Sequence, residues 1–381
     1  MRPHSLPFSP PRISEAAISA VTAALRSGWI GTGPLAKEFE SKFAEYVGAE
    51  HAAAVSSCTT GLFLTLKALG VGPGDEIITT SMTFCSTVNS ILHCGARPIL
   101  VDVDPATGNI DLEQVEAKIG PKTVGILPVH YTGYPVDMVK LMEIATRHKL
   151  LVVEDCAHAI ETEINSKHVG TFGNAGVFSF YATKNISIGE GGMVVSNDEE
   201  LIARVAQLSL HGLSRGAWKR FSEGEKRTYD VEEIGYKANF TDVQAAIGLA
   251  QLDELEQNYR HRENLWAQYI DGLSDLDVRL PAGPSEVVGK HALHLFVINL
   301  GGGKNRDELV ESFSSQHGLA LGVHYQAISQ FRIYRDVLNL RVNEFPIAEA
   351  WGSSCVSLSM SAGTSTEHAQ QIVDALRATL S

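Results

Sequence analysis

RPILVDVDPATGNIDLEQVEAKIGPKTVGILPVHYTGYPVDMVKLMEIATRHKLLVVEDCAHA, residues 97–159, alternates two kinds of pattern. RPILVDVD (97–104), VGILPVHY (124–131) and LLVVEDC (150–156) are short, β-branched and nearly continuous in apolar character, as is EIITT (76–80) upstream. Strands that read this way are usually buried on both faces of a mostly parallel sheet. LEQVEAKIG (112–120) and VDMVKLMEIATRHK (136–149) instead space apolar residues by three and four, which predicts helices, with Gly120 where a helix would stop. Strand alternating with helix is the signature of an α/β fold.

Outward from this block the pattern continues and then resets. TDVQAAIGLAQLDELEQ opens a stretch from Thr241 to about Asp271 that predicts one long helix with Thr241 as its cap. After Pro281 come a strand HLFVINL (294–300), a helix from about Arg306 to Gln316, a strand LALGVHY (319–325) and a final helix capped by Ser365 or Thr366. A chain of 381 residues suits one large domain and one small one. The division expected is residues 1–250 for an N-terminal arm and the large domain, and 251–381 for a smaller C-terminal α+β domain.

Composition excludes several functions. A formal net charge of −13 argues against a sequence-independent grip on nucleic acid, which needs many Lys and Arg contacts to phosphates. No apolar run approaches the eighteen or so residues that span a bilayer, and MRPHSLPFSPP at the N-terminus lacks a secretory apolar core, so a cytoplasmic protein without a membrane partner is expected. Five scattered cysteines with no CxxC pair suggest reduced thiols, not disulfides or a metal site. Against the acidic background, residues 211–230 gather Arg215, Lys219, Arg220, Lys226 and Arg227, which reads equally as a solvated loop or an anion-binding flap.

Three segments carry candidate chemistry. In AAAVSSCTTGLFLTLKALG (52–70) a strand meets Ser56 and Ser57 and then a helix; the free N–H groups of such a junction can hold a phosphate, with Thr59 and Thr60 well placed, although a plain helix cap reads the same way. In VVEDCAHA (152–159) Asp155 falls at the carboxyl end of a strand, where open α/β sheets bind ligands. A buried carboxylate there needs a cationic partner, for which a protonated pyridine nitrogen is one candidate and a capping role the other. In GVFSFYATKNISIGEGGMVVSND (176–198) a strand ends in Ser179, and Lys184 follows before the turn GEGG (189–192). A partly desolvated lysine there is a plausible Schiff-base amine. Phosphate cup, strand-end Asp and Lys in this order are the parts that pyridoxal-phosphate (PLP) chemistry asks for.

From about Leu6 onward the chain resembles the DegT/DnrJ/EryC1/StrS family of sugar aminotransferases, PLP enzymes of fold type I. The resemblance is carried by SGWIGTGP (27–34), VSSCTTG (55–61), TFCSTVNSILHCGARPILVDVD (83–104), PVHYTGYPVD (128–137), VEDCAHA (153–159), FSFYATKNISIGEGG (178–192) and GYKANFTDVQAAIGLAQL (235–252). HALHLFVI (291–298) and GVHY (322–325) further resemble enzymes that aminate UDP-linked 4-keto sugars with L-glutamate. The resemblance implies that Lys184 carries the cofactor and shuttles the proton, that Asp155 pairs with the pyridine nitrogen and that Phe84 stacks on the ring. It also implies that His158 lies near the ring's phenolic oxygen, and that Thr59, Thr60 and Ser179 bind the phosphate. Asn239 of a neighbouring subunit would reach the same phosphate, so a homodimer with shared active sites is implied. Cys58 departs from the glycine or alanine of many relatives. Substrate contacts are expected around Trp29, Thr32, Lys219, Arg220, His324 and Tyr325.

The reading that follows is amino transfer from L-glutamate to a keto sugar, a nucleotide-linked 4-keto sugar for lipopolysaccharide or another surface glycan. A 3-keto nucleotide sugar and a keto derivative of an eight-carbon acidic sugar are alternative acceptors. Relatives that dehydrate keto sugars have histidine in place of the lysine, so Lys184 argues against that chemistry. A sensor that binds PLP or a sugar nucleotide without turnover is the rival from another class, and the intact set of Lys184, Asp155 and Ser179 argues against it.

Overall fold

The computed structural model describes residues 8–214 and 230–380. Strands β1 (His51–Val55), β2 (Glu76–Thr80), β3 (Arg97–Val101), β4 (Thr123–Leu127) and β5 (Leu151–Asp155) are followed by two short pieces, β6 (Glu163–Ile164) and β7 (Lys167–His168). Then come β8 (Ala175–Ser179) and β9 (Gly192–Ser196). Seven of them form one sheet in the order β1-β9-β8-β5-β4-β2-β3. Every neighbouring pair from β8 to β3 is parallel, whereas β9 runs antiparallel to both β8 and β1. The sequence of residues 97–159 thus folds as its alternation predicts. Burial on both faces explains the continuous apolar strands: β8 and β9 have no exposed residue.

Helices α1 (Glu15–Ser27), α2 (Pro34–Val47), α3 (Cys58–Ala68), α4 (Cys85–His93), α5 (Leu112–Ala117), α6 (Met138–His148), α7 (Glu199–Ser209) and α8 (Asp242–Asp253) belong to this layer system. α3 lies so close to the sheet that a Cβ on Gly61 would sit 2.7 Å from Val177. Its leucines join strand residues such as Val55, Val153, Val177 and Val194 in one core. Thr241 caps α8 in a reciprocal box with Gln244.

The long helix expected from Thr241 is two helices, because α8 ends at Asp253 and α9 (Leu255–Leu273) begins after Glu254. The two halves bury themselves against different partners: α8 packs on α1 and α2, α9 on the C-terminal helix. Strands β10 (Val278–Arg279), β12 (Phe296–Leu300) and β13 (Cys355–Leu358) form a second, antiparallel sheet, while β11 (Gly289–Lys290) pairs with β6. Around it stand α10 (Arg306–Ser312) and α13 (Thr366–Leu380), over a separate core that includes Trp266, Phe296 and Leu376, while α11 (Arg332–Leu338) and α12 (Pro346–Ser354) pack in another with Met82, Val88 and Leu100. Ser365 caps α13 through the N–H of His368.

Residues 319–325 do not form the expected strand. One antiparallel bridge, Gly322 to Ser357, is made, and then the chain is diverted. The His324 carbonyl accepts from the Tyr131 hydroxyl and the Tyr325 hydroxyl meets His158, so side-chain contacts to the large sheet's loops replace the ladder. Among the described residues no helix is long and apolar enough to cross a membrane.

Candidate active site

The carboxyl ends of β5 and β8 and the N-terminus of α3 converge on a cavity of about 480 Å³. Its wall includes Ser57, Cys58, Thr59, Phe84, Asp155, His158, Ser179, Lys184, Glu190, His324 and Tyr325. Convergence follows from the strand order. Ser179 pairs with Gly192 at the β8/β9 end, and Gly192 abuts α3 so closely that a Cβ would lie 2.6 Å from the Cys58 nitrogen. Only glycine allows the helix start to come this near.

At that helix start Ser57 is the cap, and its hydroxyl accepts from the N–H of Thr60. The N–H groups of Cys58 and Thr59 belong to the first turn, which has no carbonyl partners of its own, and the helix dipole favours an anion there. Thr59 and Ser179 face the cavity, as the sequence predicts. Thr60 does not line it: its hydroxyl lies 2.8 Å from that of Ser57, inside the cap.

Asp155 is buried at the end of β5. One carboxylate oxygen accepts from the Thr87 hydroxyl at 2.8 Å, the other from the Ala157 N–H at 3.1 Å, and the Cys58 sulfur stands 3.9 Å away. Thr87 has one hydroxyl proton, which it gives to the carboxylate, so it must accept from Thr83 at 2.7 Å. Burial pushes the Asp155 carboxyl above its usual range, against the pull of Thr87, the Ala157 N–H, Lys184 and His130. Sequence reading missed Thr83 and Thr87, although their spacing of four residues was a signal. The Cys58 thiol faces Asp155, and burial raises it well above an ordinary thiol.

Lys184 lies on the connection between β8 and β9, its N–H bonded to the Tyr181 carbonyl at 2.8 Å and its carbonyl to the Ser187 hydroxyl at 2.6 Å. Desolvation lowers its amine to about 8, opposed by Cys58 and Asp155. About a tenth of the amine is therefore neutral and nucleophilic at pH 7, far more than for an ordinary lysine. His158 accepts from the Thr132 N–H through Nδ1 at 3.3 Å, and its Nε2 lies 2.8 Å from the Tyr325 hydroxyl. Burial first, then the Lys184 charge, holds this imidazole neutral. With Nδ1 accepting, the proton sits on Nε2, which donates to Tyr325 and leaves the tyrosine proton free to point elsewhere. His324 lines the same wall and is lowered to about 3, mainly by burial.

Other expected residues lie apart. Trp29 is half exposed, and neither it nor Thr32 lines the cavity. The Thr32 hydroxyl donates to the Phe240 carbonyl and accepts from Asn239 at 2.7 Å, so this hydroxyl and one Asn239 amide proton hold the 29–33 turn to the segment before α8. Asn239 does not line this chain's cavity. Lys219 and Arg220 lie outside the described residues.

A larger groove of about 850 Å³ between residues 104–113, 134–140 and 286–288 contains no comparable chemistry. Its carboxylates Asp104, Asp111 and Asp137 are occupied by backbone N–H groups of turns and helix starts. Buried Glu154, beside His130 and Cys156, is likewise saturated by the N–H groups of Gly170, Phe172 and Gly173, which makes that cluster structural.

Comparison with known proteins agrees with this geometry. The sequence profile of the DegT/DnrJ/EryC1/StrS aminotransferase family matches residues 11–377. The chain is 39% identical over 379 residues to the spore coat polysaccharide biosynthesis protein SpsC of Bacillus subtilis, covering 99% of this chain and 97% of that one. Among solved structures, the PLP form of Spr1654 from Streptococcus pneumoniae superposes with a TM-score of 0.91 at 29% identity, covering 98% of each chain. PseC of Helicobacter pylori, an aminotransferase involved in pseudoaminic acid biosynthesis, does so with a TM-score of 0.90 at 28% identity, covering 99% of each chain. The residues present fit PLP: a buried carboxyl without a full cationic partner suits a pyridinium nitrogen, a desolvated lysine amine suits its aldehyde, and the first turn of α3 suits its phosphate.

Proposed function

Because the chain belongs to the DegT/DnrJ/EryC1/StrS aminotransferase family and is a PLP-dependent sugar aminotransferase, we propose that it moves an amino group from L-glutamate to a nucleotide-linked 4-keto sugar. The products are 2-oxoglutarate and an amino sugar for lipopolysaccharide or another surface glycan. One observation carries this reading: a desolvated lysine amine and a buried, hydrogen-bonded carboxylate share a cavity that opens on a helix N-terminus. The coat polysaccharide in the name of SpsC and the pseudoaminic acid in that of PseC support a glycan acceptor. A 3-keto or acidic eight-carbon acceptor fits the same cavity chemistry.

When bound, PLP supplies the electron sink that makes a proton on the carbon bearing nitrogen removable. Asp155 holds the ring nitrogen protonated, which its ionised form does once a cation stands against it. Ser179, Thr59, Thr60 and the α3 N–H groups hold the phosphate, with Thr60 acting through the Ser57 cap. Lys184 Nζ would take the proton from the donor's Cα and hold it for return, and would run the same transfer in reverse for the sugar. Phe84 covers the ring and His158, through Tyr325, fixes the far wall. His324 and Tyr325 meet the acceptor. Lys219 or Arg220 meets its diphosphate, with Trp29 and Thr32 shaping the entrance.

Function as a homodimer is part of the same proposal, with Asn239 of each subunit reaching the other's phosphate. Exposed Ile13, Ile18, Leu25, Trp29 and Ile30 just before, along and after α1 support a covered surface there. The division at about residue 250 is supported by the break between α8 and α9. The decisive test is the absorbance of the holoenzyme before and after L-glutamate, with 2-oxoglutarate assayed in the same sample. Conversion of the cofactor band with stoichiometric 2-oxoglutarate, followed by recovery of the band with a keto sugar nucleotide, is expected. A band that L-glutamate leaves unchanged refutes the donor, and one that no keto sugar nucleotide restores refutes the acceptor.

A further inference from the structure

Asn185, directly after Lys184, makes more buried contacts than a loop asparagine needs. Its Nδ2 donates to Glu161 Oε2 at 2.7 Å and to the Ala292 carbonyl at 3.1 Å, while its Oδ1 accepts from His294 Nδ1, 2.9 Å away. Both acceptors can only accept, so both amide protons are committed and the orientation of the amide is fixed. Glu161 turns its other oxygen to Arg262 of α9, and each side chain is 1% exposed. Two separate segments therefore close on one side chain, the loop after β5 and the 291–295 turn before β12, and α9 backs the first of them through Arg262.

A buried ion pair is a poor way to gain stability, since apolar residues of similar volume often do as well or better. Here the guanidinium also leaves Nε and Nη1 without a partner among the described residues. What the pair provides is a fixed acceptor for Asn185 at the residue adjoining the reactive lysine. The lysine's own backbone is tied on both sides, to Tyr181 and Ser187. On the far side the His294 ring packs at 4.7 Å, tilted by 40°, against that of His158, which lines the cavity, so the same contacts reach the wall facing the cofactor.

We propose that Asn185, backed by the Glu161–Arg262 pair, is a positioning device that holds the main chain at Lys184 and so sets where its amine stands relative to Asp155. This rests on Lys184 being the cofactor-bearing lysine. Neither Asn185, Glu161 nor Arg262 touches the reacting atoms; they act through the lysine and through His294.

The test uses full-length holoenzyme and three variants: N185A, E161L/R262M and E161Q/R262M. Leucine at 161 removes the acceptor and the charge, whereas glutamine keeps an acceptor for Asn185 without the charge. Borohydride trapping followed by peptide mass analysis of the wild type first locates the cofactor; label on another residue overturns the premise itself. With label on Lys184, N185A and E161L/R262M are expected to slow the single-turnover reaction with L-glutamate by about tenfold or more. The pH midpoint of the bound cofactor's absorption should move with it, and the KM for L-glutamate should stay within about twofold. E161Q/R262M should keep both rate and midpoint near wild type. Rate and midpoint unchanged in the first two variants, whatever happens to Tm, overturn the proposal, as does a glutamine variant impaired as severely as the leucine one.

Discussion

Replacing Thr87 by valine keeps the shape of the side chain but removes a hydroxyl that both donates to Asp155 and accepts from Thr83. The lost contact is a 2.8 Å hydrogen bond to a carboxylate, and such bonds contribute about 1.5–3 kcal/mol. Each pKa unit corresponds to about 1.4 kcal/mol, so the Asp155 carboxyl, already raised by burial, should rise further. Asp155 serves its role when ionised, that is, above its pKa, so the acid limb of the pH profile should move to higher pH. PLP affinity should fall about tenfold to a hundredfold. Reconstitution of cofactor-free protein, followed by fluorescence titration and by the pH dependence of the L-glutamate half-reaction, measures both quantities. Thr83→Val, which breaks the next link, should show a smaller shift in the same direction. Unchanged affinity and an unmoved acid limb in Thr87→Val would refute the assignment of Asp155 as the partner of the ring nitrogen.

Lys184→Ala should abolish turnover yet still retain PLP through its phosphate contacts, and a variant that transaminates normally would overturn the role of the lysine. Capture of PLP by cofactor-free enzyme needs the neutral amine, whose pKa is lowered to about 8. The capture rate should therefore fall about tenfold per unit as pH drops below 8 and level off above it, as stopped-flow absorbance can show, whereas a midpoint near 10.5 would mean that the amine is not desolvated. Gly192→Ala forces a Cβ to within 2.6 Å of the Cys58 nitrogen and should push the α3 start outward. Loss of PLP affinity of at least about tenfold is expected with a modest fall in Tm, and unaltered affinity would argue that the α3 N–H groups do not hold the phosphate.

The sheet was legible because its strands are buried on both faces, so β-branched apolar runs at 76–80, 97–101, 123–127 and 151–155 stood out without any partner being known. Residues 319–325 are also largely apolar and yet leave the ladder after Gly322, where Tyr131 takes up the His324 carbonyl and His158 holds the Tyr325 hydroxyl. Nothing local to the segment signals that diversion. The site divides in the same way. Ser179, Lys184, Asp155 and Thr59 were found by order and spacing and do share one cavity. Thr32 was expected near the substrate, but its hydroxyl is occupied by Phe240 and Asn239, more than two hundred residues away in sequence. Asn185 was inside a quoted motif and went unnoticed because its meaning depends on Glu161, Ala292 and His294, which only the fold brings together.

The direction of β9 has a bearing on how this enzyme can diverge. A parallel crossover would leave from one edge of the sheet and return from the other, through a dozen residues or more whose length could drift without disturbing the rim. Because β9 runs against β8, the link over residues 180–191 starts and finishes at the same edge, anchored by Ser179 at one end and Gly192 at the other. The lysine rides on a span with two fixed piers. Insertions can accumulate in the connections on the opposite edge at little cost to chemistry, whereas a change of even one residue in this span would carry the amine away from its partner.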